Sequence, residues 1–168
     1  SLPPIPFDLD KARALLDEAG WVDSDGNGIR DKEIEGTLVP FEFALMVYGS
    51  SDEYKVLGNI FKEDLAKIGV KMTVRTMEWS NLLKRVDDRE FDAVTLAWVS
   101  SPDVDFYQIW HSSQGGKFQL NFVGYRNAEA DNLIIKIRRE YDHEKQVGYT
   151  HRLHRIIYDD QPYTFLYV

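Results

Sequence analysis

Between residues 8 and 19 the apolar positions recur at helical spacing, with Leu9, Ala12, Leu15, Leu16 and Ala19 on one face. Asp8 stands where an N-cap belongs and Gly20 where a C′ residue would stop the helix. A polar turn cluster follows, Asp23-Ser24-Asp25-Gly26-Asn27-Gly28, with Asp31 close behind. The segment 41–48 is apolar and partly alternating, which predicts a strand. Tyr54, Leu57, Phe61, Leu65 and Ile68 then trace a second helical face that Gly69 ends. Val70, Met72 and Val74 alternate with Lys71, Thr73 and Arg75 as a strand does, and Trp79, Leu82, Leu83 and Val86 return to helical spacing. Phe91-Asp92-Ala93-Val94-Thr95-Leu96-Ala97-Trp98 is nearly continuous in apolarity, the pattern of a strand covered on both faces. Strand, helix, strand, helix, strand implies parallel pairing through right-handed crossovers, an α/β unit.

Beyond Trp98 an irregular stretch runs to Gly124, with a short helix predicted around 106–110. Two more helices follow. Asn127 caps the first, whose face is Ala130, Leu133, Ile134, Ile137 and Tyr141. Asp142 caps the second, which carries Val147, Thr150, Leu153 and Ile157 and must stop before Pro162. Residues 163–168 are predicted to close as a strand. No repeat, low-complexity tract or linker interrupts the pattern, so residues 1–168 read as a single α/β unit.

Composition narrows the function. The 168 residues include 20 Lys and Arg against 28 Asp and Glu, a formal net charge of −8, and no cysteine. A chain of about 150 residues buries roughly 70% of its unfolded surface, enough for a proper core. The acidic balance disfavours nucleic acid and anionic membrane surfaces, which are held by Lys/Arg excess. Absence of cysteine removes disulfide frameworks, thiolate metal sites and thiol nucleophiles together. No window approaches 18 apolar residues, and the opening Ser-Leu-Pro-Pro-Ile-Pro-Phe has neither the basic nor the apolar region of a signal peptide. Its three prolines read as an extended connector within something larger.

Three constellations could carry chemistry. Asp23, Asp25, Asn27 and Asp31 occupy positions 1, 3, 5 and 9 of a calcium-loop pattern, Gly28 position 6, and Ile29 offers its carbonyl at position 7. Position 12 is Ile34 rather than a bidentate Glu, so Glu33 or Glu35 would have to substitute. The plain alternative is a hydrated connection, since Asp, Asn and Gly favour turns. A structural Ca²⁺ is the cofactor this turn suggests, and none is required elsewhere. The second constellation follows the third parallel strand, at the strand end where open α/β sheets meet their ligands. There Trp98, Ser100, Ser101, Pro102, Asp103 and Asp105 offer an indole, hydroxyls and carboxylates to a small polar solute, or else simply cap and pack a loop. The third, His151 and His154 at i, i+3, has metal-holding spacing but is flanked by Arg152 and Arg155, which oppose a cation and fit a solvated face. There is no Gly-x-Ser-x-Gly, His-Glu-x-x-His or phosphate loop, and no recognisable carboxylate pair for glycoside hydrolysis.

Taken in order, several segments resemble the C-terminal lobe of the peptide-type, family 5 solute-binding proteins of bacterial ABC importers. They are Phe7-Asp8 with Lys11 to Trp21, the Asp23 to Asp31 turn, Leu65-Ala66-Lys67-Ile68-Gly69-Val70 and Phe91-Asp92 leading to Trp98. Asn121 to Asn127 with Asp131 and Leu133, Tyr141-Asp142 and Gln161-Pro162-Tyr163 complete the series. The resemblance covers nearly the whole chain. It implies one lobe of a type II periplasmic-binding-protein-like fold, a mostly parallel sheet flanked by helices. It also implies a periplasmic or extracellular, membrane-anchored parent that closes on a peptide or other small solute and hands it to membrane permease subunits, without catalysis.

The same resemblance places Trp98, Ser100, Ser101, Pro102 and Asp103 in the binding loop. Peptide-binding members carry an Asp about three residues after the strand-ending Trp, where it pairs with the peptide ammonium. That place is Ser101 here, and the loop is about one residue shorter before Asp103. A buried ammonium needs a charged partner, so either Asp103 takes the role or the solute lacks a free amino terminus. Two readings from other classes stand beside the importer lobe: a carbohydrate-active domain using Asp103 and Asp105 beside Trp98, and a calcium-stabilised interaction module.

Overall fold

The computed structural model describes residues 2–99 and 105–166. Helix α1, Leu9–Glu18, begins where the Asp8 carboxylate accepts a hydrogen bond from Lys11 N (2.9 Å) and gives way to Gly20 at φ +82°. Its apolar stripe is only half covered: Leu9, Ala12 and Leu16 are half-buried, no residue of α1 is fully buried, and Leu15 is 55% exposed. Two short strands follow that the apolar pattern did not announce, β1 (Asp31–Ile34) and β2 (Thr37–Pro40), paired antiparallel. The two-residue connection Glu35-Gly36 has φ of 51° and 78°, the positive pair a type I′ hairpin demands.

Strand β3, Glu42–Tyr48, is the centre of a three-stranded parallel sheet. It pairs with β4 (Lys71–Met77) along its whole length, from Glu42↔Lys71 to Tyr48↔Met77, and with β5 (Ala93–Val94) over two residues. Ala44, Leu45, Met46 and Val47 are all buried, so β3 is covered on both faces. That pattern had been expected of 91–98. Instead β5 is a two-residue edge strand of half-buried residues, prolonged by the Thr95 N–H donating to the Met46 carbonyl (3.0 Å) and fastened at its start by the Asp92 carboxylate, which accepts from Ala44 N (3.0 Å). A run of apolar residues records that a segment touches the core, not that it sits mid-sheet.

Helix α2, Asp52–Ala66, is capped by Ser51 and lies on this sheet, with Tyr54, Phe61 and Leu65 against Leu45, Val47 and Met72. Gly58 permits the approach: a Cβ there would meet Val74 Cγ2 at 3.1 Å and Leu45 Cδ2 at 3.4 Å. Helix α3, Trp79–Asp88, buries Leu82 and Val86. Arg30 ties the segments together, its Nε donating to the Ile68 carbonyl (2.8 Å) and its Nη1 meeting Asp17 and the Trp21 carbonyl (both 2.5 Å).

The remaining helices are α4 (Tyr107–Trp110), α5 (Ala128–Arg139) and α6 (His143–Asp160), with a 3₁₀ turn at Ser112–Gln114. Asn127 and Asp142 cap α5 and α6 as their spacing predicts. Ala130, Leu133, Ile134 and Ile137 of α5 bury against Leu153 and Ile157 of α6 and Trp110 of α4. Tyr141, placed by periodicity on the first of these faces, is fully exposed, because Glu140 is already extended and its carboxylate accepts from the N–H groups of Tyr141 and Asp142. The left-handed Gln161 (φ 45°) closes α6 ahead of Pro162. The described part of 163–168 forms no strand; Tyr163 and Phe165 pack their rings on Trp110 at 4.6 and 6.3 Å.

By residue contacts the chain divides into two compact units. One is built from Ile5–Val86 and Glu90–Ala97, the other from Asp87–Arg89 and the residues from Trp98 onward, with the first four residues. Among the described residues no helix is long and apolar enough to cross a membrane.

Candidate functional site

Trp98 comes three residues after the last backbone bond of the β5 ladder and is 42% exposed. What holds it is Phe122, whose ring lies parallel to the indole (interplanar 9°, centroids 5.6 Å apart), an offset stack. On Phe122 in turn rests the Arg89 guanidinium, its Cζ 5.2 Å from the ring centroid. The same guanidinium donates through Nη2 to the carbonyls of Gly116 (2.8 Å) and Gln119 (2.9 Å). Gln119 Oε1 accepts from Gly116 N (2.7 Å), and Lys117 pairs with Asp88 (2.5 Å), so the 116–119 turn is gripped from both sides.

One residue before Phe122, the wholly buried Asn121 anchors the segment. Its Nδ2 donates to the carbonyls of Tyr125 (2.9 Å) and His111 (3.3 Å), its Oδ1 accepts from Tyr125 N (2.9 Å), and its own N–H donates to the Gln114 carbonyl (3.1 Å). Every polar group of this amide is used. Tyr163 stands beside Trp98; burial pushes its phenol pKa up, with the neighbouring Trp98 and the Arg89 charge drawing it partly back. Its hydroxyl is buried without a hydrogen bond of good geometry among the described residues. Burial, with a short hydrogen bond to Asp160 (2.6 Å), likewise raises the Tyr125 phenol well above its ordinary value.

Of the loop residues named from sequence, Trp98 is placed as described, while Ser100, Ser101, Pro102 and Asp103 lie outside the described residues. Asp105 accepts from Tyr107 N (3.1 Å) and meets Arg138 at 3.5 Å, which makes it a local cap rather than a partner of Trp98. Arg89 and Phe122 were not singled out from sequence. Phe122 sits in a segment recognised only as a whole, and Arg89 carries one faint signal, a non-glycine residue directly after a helix end.

The Asp23–Asp31 turn brings three of its acids together. Carboxylate oxygens of Asp23, Asp25 and Asp31 lie within 4.8 Å of one another, a separation ligands of one Ca²⁺ can have with bonds of about 2.4 Å. Asp23 accepts from Asn27 N and Gly28 N, Asp31 from Ser24 N and Oγ, and Asp31 is only 5% exposed. Each of these oxygens retains a second lone pair toward a cation. Asn27 Oδ1 accepts from Ile29 N (2.8 Å), and neither Glu33 nor Glu35 joins the trio, because β1 and the hairpin turn carry them elsewhere. The residues brought together are three carboxylates, a set short of a complete calcium loop. His151 and His154 are both exposed and recruit no third metal-binding side chain among the described residues.

The sequence profile described as bacterial extracellular solute-binding proteins, family 5 middle, matches residues 1–119. The chain is 36% identical over 173 residues to the oligopeptide-binding protein AppA of Bacillus subtilis, covering 99% of this chain and 30% of that protein. The structure of AppA in complex with a nonapeptide superposes with a TM-score of 0.92, covering 99% of this chain and 32% of that one. Protein XP55 of Streptomyces lividans is 29% identical over 164 residues, 96% of this chain and 29% of its own length. An oligopeptide-binding protein of Thermus thermophilus complexed with a pentapeptide shares the fold, with a TM-score of 0.84 at 24% identity over 96% of this chain and 29% of that one. The chain therefore spans about a third of the length of the relatives it matches.

Proposed function

The chain belongs to the bacterial extracellular solute-binding proteins of family 5, and from that membership we propose that it is the part of an ABC importer's receptor that meets the solute. The parent captures a peptide outside the cytoplasmic membrane, as a periplasmic or membrane-anchored protein, and delivers it to permease subunits without altering it chemically. The observation that carries this reading is the likeness to the peptide-complexed AppA along 99% of the chain. A stacked, half-open indole suits a ligand recognised by shape, and closure of two lobes around it supplies the exclusion of water that gives specificity. Within this reading Asp103 meets the peptide ammonium in place of Ser101, so Asp103→Ala weakens a peptide with a free amino terminus more than tenfold, about 1.4 kcal/mol. The Asp23–Asp31 turn is, on the same proposal, a structural calcium site.

Native mass spectrometry of the full-length parent, purified without added ligand, tests the function. Retained mass that fragments as a peptide series supports it. A retained sugar or metal chelate keeps the receptor and overturns the peptide. Turnover of a generic glycoside abolished by Asp103→Asn would replace the receptor with an enzyme.

A further inference from the structure

Arg89 occupies a conformation that its residue type does not favour. Its φ of 60° lies in the left-handed region, where a Cβ crowds the following carbonyl and glycine is the default. The position is the left-handed stop after α3, closed by Glu90 N donating to the Arg85 carbonyl (2.9 Å), and arginine in place of glycine brings side-chain contacts of its own. Among the described residues these contacts include two hydrogen bonds to the 116–119 turn and the cation face on Phe122, and through Phe122 they reach the parallel stack on Trp98.

We propose that Arg89 is a positioning residue for solute recognition: by holding Phe122 and the turn before it, the guanidinium fixes the plane in which Trp98 meets the ligand. The proposal rests on the reading that Trp98 faces the solute. An indole hinged at its Cβ has two side-chain torsions, and a planar neighbour 5.6 Å away restricts both only if that neighbour is itself fixed. Asn121 fixes the backbone of Phe122, and Arg89 fixes its ring. Lysine could not replace it, because an ammonium has no planar face to lie on the Phe122 ring while it donates to the two carbonyls.

The test compares Arg89→Gly, Phe122→Leu, the double variant and Trp98→Ala in the full-length parent, with nonapeptide affinity by calorimetry, thermal melting, and ¹⁹F NMR of 5-fluorotryptophan-labelled protein. Loss of one resonance in Trp98→Phe assigns Trp98. Glycine relieves the backbone, so Arg89→Gly is expected to melt no lower than the wild type while its affinity falls about tenfold and the Trp98 resonance shifts or broadens. Phe122→Leu should reproduce both changes, and the double variant should lose no more than either alone, since all break the same ladder. An unmoved Trp98 resonance in Arg89→Gly overturns the proposal, whatever the affinity does. So does a lowered melting temperature with an unmoved resonance, which makes Arg89 a structural residue. If Trp98→Ala binds as tightly as the wild type, the solute-facing reading itself fails. If Trp98→Ala weakens binding and Arg89→Gly does not, that reading stands and the role given to Arg89 falls.

Discussion

Asn121 offers the sharpest test of how the segment under Trp98 is held. Its side chain makes three hydrogen bonds at zero exposure, donating to the His111 and Tyr125 carbonyls and accepting from Tyr125 N–H. Asn121→Ala removes all three. Each is worth about 1 kcal/mol net, and the groups left behind are only partly reachable by water, so the expected loss is about 3 kcal/mol. With a urea slope of about 2 kcal/mol per molar, the unfolding midpoint should fall by about 1.5 M. Asn121→Asp is the more discriminating change, because it preserves shape. A carboxylate still accepts from Tyr125 N–H but turns an oxygen toward two carbonyl oxygens where an amide donated, so its loss should equal or exceed that of alanine. Urea melts followed by tryptophan fluorescence measure both. If Asn121→Asp melts with the wild type, the donor role assigned to this amide is wrong, and with it the account of how Phe122 is placed.

Leu153 is wholly buried between Trp110 and the apolar face of α5, and Leu153→Ala should cost about 2–5 kcal/mol in the same assay; a loss below about 1 kcal/mol would mean the α5–α6 packing is loose. His154, edge-on to Phe106, has its pKa held below 6.5 by the partial burial of its otherwise exposed ring and then by the neighbouring His151. The unfolded chain therefore takes up its proton first, so stability should be level above about pH 6.5 and decline as pH falls through the lowered folded value. His154→Gln should flatten that decline, and an unchanged slope would assign it to other groups. Millimolar Ca²⁺ should raise the melting temperature and Asp25→Asn should abolish the rise, whereas no calorimetric heat and no shift would reduce the Asp23–Asp31 turn to a hydrated connection.

What the sequence made legible follows from how local each cause is. The caps at Asp8, Asn127 and Asp142 act within three residues of themselves, and all three were readable before the structure. The parallel strands followed from their alternation with helices. The β1–β2 hairpin escaped because neither strand has an apolar face, most of its residues being exposed, and because Glu35-Gly36 is a less distinctive turn pair than Asn-Gly. Tyr141 was misplaced on a helix face because periodicity does not record that Glu140 turns its carboxylate back on the following N–H groups. At the site, Trp98 was legible from its place after a strand. Arg89 and Phe122 were not, since a guanidinium stacked on a ring and a ring stacked on an indole are tertiary contacts with no period.

The distribution of backbone strain argues the same point from another side. Among the described residues four non-glycine positions have positive φ: Glu35, Arg89, Phe118 and Gln161. Glu35, Arg89 and Gln161 have local reasons, a two-residue hairpin and two helix stops. Arg89 also grips the turn in which Phe118 sits. Left-handed backbone costs a side-chain-bearing residue about 1 kcal/mol, and this chain does use glycine for it at Gly20, Gly28 and Gly69. Glycine at position 89 would relieve the backbone and lose the ladder. Phe118, 71% exposed and touched by Lys117, gains little packing to offset its own strain. Strained backbone of this kind clusters at ligand clamps and switch regions. If Trp98 meets a solute as proposed, the half-open indole one stacked ring away from Arg89 is where that surface would be completed.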